Sequence, residues 1–195
     1  MKLYLRYKTI GELFRQQIHN KVYLVLYTLL AFVMPLNRMF SSYVIGLLII
    51  NWLLEARFFA RFKSIIRTNR KIDTFLFLVL FLVYLIGMIY TNNVQEGWFS
   101  VQVKLSLIIF PVLFATSDIS FWTIERVRMP LIAFVFGSIV SSIICLGLAF
   151  YGYYLTGSSE LFYYIELSYF HHPGYMAMYL SFATTILISF LIHND

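Results

Sequence analysis

The chain has 195 residues, of which 61% are hydrophobic and 12% charged, and its formal net charge is +6. With a mean hydropathy of +0.78, a soluble domain of this length has nowhere to bury its apolar surface, which leaves an all-α, polytopic helical membrane protein. The positive charge is not a nucleic-acid footprint, because the basic residues cluster between apolar runs, as they do at a cytoplasmic membrane face.

Residues 1–21 carry Lys2, Arg6, Lys8, Arg15 and Lys21 against Glu12. They read as a basic cytoplasmic segment rather than a cleaved signal peptide, since no small-x-small site follows Ala31. Apolar runs at 22–36 and 39–54 are separated by Pro35-Leu36-Asn37-Arg38. They read as a tight hairpin of two spans, the alternative being a re-entrant pair that puts Arg38 inside the protein. Residues 55–73 hold Arg57, Arg61, Lys63, Arg67, Arg70 and Lys71, the strongest positive-inside signal in the chain.

A third span is expected at 74–90 and a fourth at 101–116, the fourth bent or broken by Pro111. The segment between them is polar and includes Asn92, Asn93, Glu96 and the interfacial Trp98. A fifth span covers 130–155 and a sixth 173–192, leaving 193–195 as a cytoplasmic end. In the fifth, Gly137, Ser141 and Cys145 recur every four residues. That stripe reads as a packing seam between helices in lipid rather than a transport path. Cys145 stands alone, so no intrachain disulfide forms.

The charge count fixes an orientation. With the N-terminus cytoplasmic, thirteen of the fifteen Lys and Arg residues fall inside, and only Arg38 and Lys104 fall outside.

The stretch 160–180 interrupts the apolar pattern most strongly. It gathers Glu160, Glu166, His171, His172 and five tyrosines, among them Tyr169, before Pro173 opens the sixth span. His171 and His172 read as general bases or as solvated residues at a helix mouth. Adjacent histidines diverge on a helix, so no metal site is expected. The tyrosines form an interfacial belt or, less directly, stack on sugar rings. Lys104, several residues into an apolar run, is either a functional cation suited to a phosphate or a snorkelling side chain. Arg38 anchors the interface or binds an anionic head group. No phosphate-binding glycine loop, nucleophile elbow or zinc-protease helix is present, and no cofactor is implied.

Several phrases together resemble the O-antigen ligase and O-antigen polymerase family, in versions from Bacteroidetes-like bacteria. They are Met34-Pro35-Leu36-Asn37, Asn51-Trp52-Leu53-Leu54, Gly87-Met88-Ile89-Tyr90-Thr91-Asn92-Asn93, Lys104-Leu105-Ser106-Leu107-Ile108-Ile109-Phe110-Pro111, and the run from Glu166 through His171-His172-Pro173-Gly174 to Tyr179. The resemblance implies a metal-independent inner-membrane glycosyltransferase. Its partners would be a polyprenyl-diphosphate-linked glycan and a glycolipid acceptor such as lipid A–core. It also implies that the catalytic histidine and diphosphate-binding arginines lie in a later extracytoplasmic loop, so that this chain is the N-terminal half, with no catalytic residue assigned to it and a second half or subunit as its expected complement. Lys104, Arg38, Tyr169, His171 and His172 are then its substrate-side residues. The alternative is a non-enzymatic six-span protein that binds a lipid-linked glycan or a partner. A small-solute transporter fits less well, because the spans hold few ionisable groups and show no inverted repeat.

Overall fold

A computed structural model describes residues 2–55, 71–116 and 121–192, with side chains over 14–55, 75–115 and 121–192. Among the described residues all regular structure is helical. Seven helices are labelled here: α1 (Lys2–Val33), α2 (Arg38–Glu55), α3 (Lys71–Gly87), α4 (Val94–Lys104), α5 (Ser106–Thr116), α6 (Ile124–Thr156) and α7 (Pro173–Ile192). Four stretches are long and apolar enough to cross a membrane: Arg38–Glu55, Val94–Ala115, Ile124–Thr156 and Pro173–Ile192, with Phe75–Tyr90 a shorter apolar helix. The chain is therefore of the helical membrane type. The basic cluster Arg57, Arg61, Lys63, Arg67 and Arg70 and the end at 193–195 lie outside the described residues.

Contacts divide the chain into two compact units, residues 1–51 with 120–195, and residues 52–119. In the first unit, α1 and α6 run in the same direction. Tyr27 meets Trp122 edge to face at 5.5 Å, Phe32 stacks on Phe136 at 6.3 Å, and the Ser141 hydroxyl donates to the Pro35 carbonyl at 2.9 Å. The small residues explain how closely the helices approach. A Cβ on Gly137 would run into the Phe32 carbonyl oxygen, and Ser138 and Cys145 are fully buried beside it. Gly137 thus packs on α1 and Ser141 on the turn that follows it, which makes this part of the stripe a packing seam.

Helix α7 packs antiparallel on α6. Phe134 takes Tyr179 and Phe182 at 5.9 and 5.3 Å, and the Arg128 guanidinium lies 4.8 Å over the Phe190 ring. Phe134, Val135, Ala183 and Ile186 form the buried centre. Helix α1 continues without interruption through the basic segment into the apolar run. Nothing between Lys21 and Val22 stops a helix, since neither glycine nor proline occurs there.

Two turns close in different ways. After α1, the Leu36 and Asn37 amides bond the Val33 carbonyl at 2.9 Å, and the Asn37 side chain caps α2 by accepting from Met39 and Phe40 at 2.8 and 3.3 Å. After α6, Gly157 takes φ +69°, the left-handed conformation glycine tolerates at a helix C-terminus.

In the second unit, Asn93 caps α4 by accepting from the Glu96 amide, so the helix starts within the polar segment and before Val101. The interruption ahead of α5 falls at Leu105, whose amide bonds Gln102 in the tighter three-residue manner. Pro111 lies inside α5. A proline ring pushes against the turn before it, and here the adjustment sits upstream of Pro111.

Candidate functional site

The residues singled out by sequence fall into two groups. Arg38, Tyr169, His171 and His172 belong to the first unit, and Lys104 to the second.

The two histidines have separate tasks. His172 precedes α7, and its Nδ1 accepts the Gly174 amide at 3.3 Å, an N-terminal cap that complements the proline at the first helical position. Its ring meets Tyr164 edge to face at 6.0 Å. His171 turns the other way. Its Nε2 donates to the Met34 carbonyl at 3.1 Å, across 137 residues of sequence, and its ring packs edge to face on Tyr179 at 5.5 Å. The imidazole is held below its ordinary range. Burial disfavours the charged ring, the Met34 carbonyl opposes that, and the positive charge of Arg38 adds to it.

His171 and Arg38 therefore share one corner, between the Pro35 turn and the start of α7. Arg38 is exposed in the first turn of α2. Tyr169 is exposed nearby in sequence and meets Phe170 edge to face at 5.4 Å. An exposed guanidinium in the first turn of a helix favours an anion.

Lys104 ends α4. Its Nζ lies 4.4 Å from the centroid of the Tyr84 ring and donates to the Ser100 carbonyl at 3.5 Å. A cation at a helix C-terminus over an aromatic face is stabilised by both, which gives Lys104 a structural task within its own unit.

Sequence reasoning passed over a polar face on α2. Ser41, Val44, Leu48, Asn51 and Glu55 recur at helical spacing and all are buried. His19 on α1 reaches this face, with its Nδ1 2.8 Å from the Asn51 Oδ1, while Asn20 is buried beside it. The signal was the three- and four-residue spacing of Asn51 and Glu55 behind Val44 and Leu48. It was hidden because Glu55 is also the first charge after the apolar run. Among the described residues no three His, Cys, Asp or Glu side chains gather as metal ligands. No family model, curated protein or solved structure matches the chain.

Proposed function

We propose that the chain is the membrane portion of an O-antigen ligase-like or polymerase-like glycosyltransferase of the bacterial inner membrane. In this reading it crosses the bilayer six times with its N-terminus in the cytoplasm. The Arg38–His171 corner then faces the extracytoplasmic side. There it receives the diphosphate of a polyprenyl-linked glycan that is passed on to a glycolipid acceptor. The observation that supports the reading most is that corner, where two residues from distant parts of the chain meet in a setting suited to an anion. The five sequence phrases resemble that family, and the Tyr-rich segment beside the corner suits a glycan.

The role of the corner is to hold and orient the diphosphate. In this reading the base that deprotonates the acceptor hydroxyl comes from the later loop that the resemblance implies. Lys104, engaged with Tyr84, supports the fold of its own unit.

The test is binding in lipid nanodiscs, read by native mass spectrometry. A long-chain polyprenyl diphosphate is expected to be retained at least five-fold better than the uncharged polyprenol, and Arg38→Gln is expected to abolish the preference. Equal retention of the two lipids, or a preference unchanged in Arg38→Gln, would overturn the proposal.

A further inference from the structure

The segment joining α6 to α7 is anchored at both ends and strained in between. Its first half is fixed along α6. Phe162 meets Phe150 and Tyr153 edge to face at 5.0 and 5.8 Å, and Leu161 packs into the space left by Gly152, where a Cβ would stand 2.7 Å from the leucine methyl. Its second half is held by the His171 hydrogen bond to Met34, with the Ser168 hydroxyl donating to the Met176 sulfur at 3.5 Å. Between the two anchors Tyr164 sits at φ +46°, a left-handed conformation that disfavours any residue with a side chain. The neighbouring Tyr163, Ile165 and Tyr169 are exposed, so little packing opposes release of this half.

We propose that residues 163–172 form an acid-released strap, clasped to the Pro35 turn by neutral His171 and freed when that imidazole takes up a proton beside Arg38. The neutral ring needs only its Nε2–H to bond Met34, while its other face lies against Tyr179. A second proton, on Nδ1, leaves the Nε2–H able to donate, but it places a positive charge in a half-buried setting that faces a guanidinium, and lost hydration and repulsion from Arg38 then act against the bond to Met34.

Linkage gives the direction. The clasped ring is held below the ordinary imidazole range, and the freed ring returns to it, near about 6.5. The freed form therefore binds the proton better. The clasp is at full strength above that value and is lost as pH falls from it through the clasped value.

Arg38 on α2 stays charged throughout, and Tyr179 on α7 is a phenol that is neutral in this range. Beyond Ser141, α6 carries Cys145, Tyr151, Tyr153 and Tyr154 among titratable groups, α7 adds Tyr175, and the joining segment carries Glu160 and Glu166, both exposed, the tyrosines at 163, 164 and 169, and His172. His172 is a second imidazole on the strap, and its Nδ1 must keep its lone pair to accept the Gly174 amide, so the experiment has to separate the two rings. The inference involves no substrate and stands apart from the glycosyltransferase reading.

The test uses spin labels attached through Tyr169→Cys on the strap and Met39→Cys on α2, in a Cys145→Ala background in nanodiscs, with the distance distribution read by pulsed dipolar spectroscopy. Between pH 7.5 and pH 5.0 a longer-distance population is expected to rise at least five-fold. His171→Gln keeps an N–H donor but cannot titrate, and should hold the short distance at both pH values. His172→Asn keeps the cap acceptor and should titrate like the parent. His171→Ala should show the long distance at both pH values. An unchanged distribution in the parent, a full pH response in His171→Gln, or its loss in His172→Asn would each overturn the proposal. Circular dichroism at both pH values checks that the helices persist.

Discussion

The seam between α1 and α6 can be tested by making one substitution at two places on the same helix. At Gly137 an added Cβ would strike the Phe32 carbonyl oxygen and stand 3.0 and 3.1 Å from the carbonyl carbon and Cα, while at Gly147 it would meet nothing within 4 Å. Replacing glycine by alanine in a helix stabilises by about 0.5–1 kcal/mol through the unfolded chain. In a bilayer separated helices stay helical, so the gain at Gly147→Ala falls to between zero and about 1 kcal/mol. Gly137→Ala adds backbone overpacking of about 1–3 kcal/mol. It also pulls on the Ser141–Pro35 hydrogen bond, worth about 0.6 kcal/mol in a membrane protein. The net cost is about 1–3 kcal/mol, or roughly 2–12 °C in melting temperature at 2–4 °C per kcal/mol. Cys145, only 1% exposed and the single cysteine, supplies its own readout, because a thiol-reactive dye labels it only when the bundle opens. A Gly137→Ala protein that melts at or above the Gly147→Ala protein would refute the close-approach argument.

Further outcomes follow from individual contacts. Removing the cap with His172→Ala should cost about 1 kcal/mol, and His172→Asn should restore most of it, measured by the same thermal assay. A double-mutant cycle of Lys104→Met and Tyr84→Leu should give a coupling of about 0.5–1 kcal/mol, and a coupling near zero would return Lys104 to the list of free cations. For orientation, Ser158→Cys should react with an impermeant thiol reagent in intact cells and Ser64→Cys should not, both in a Cys145→Ala background. The reverse pattern would place Arg38 and His171 in the cytoplasm.

Local rules made much of the architecture legible. Pro173 marks the first residue of α7 because a proline costs nothing where its missing N–H goes unused. The four-residue spacing of Gly137, Ser141 and Cys145 identified a seam, although only the fold sets Gly137 on α1 and Ser141 on the turn after it. Other features depended on tertiary context. The roles of His171 and His172 cannot be separated by sequence, since one reaches a carbonyl 137 residues away while the other bonds two residues along. The interruption before α5 falls at Leu105, upstream of Pro111, because a proline acts on the turns before it while Leu105 carries no signal of its own. The buried face bearing Asn51 was missed because hydropathy alone rates α2 as a plain span.

Helix α6 sets a measure for the surrounding bilayer. Its 33 residues extend about 50 Å, against a hydrocarbon thickness of about 30 Å. Arginines at 126 and 128 and tyrosines at 151, 153 and 154 mark its two ends, with about 23 residues, or roughly 35 Å, from Arg128 to Tyr151. Ser141, which holds the Pro35 turn, stands about ten residues, or roughly 15 Å, short of Tyr151. A bilayer thick enough to cover α6 therefore leaves that turn below headgroup level, where unpaired carbonyls are costly. Ser141 and His171 supply donors to the Pro35 and Met34 carbonyls at that depth. Arg38, exposed in the next turn, brings its hydration with it, so lipid must thin or water must funnel down toward that corner.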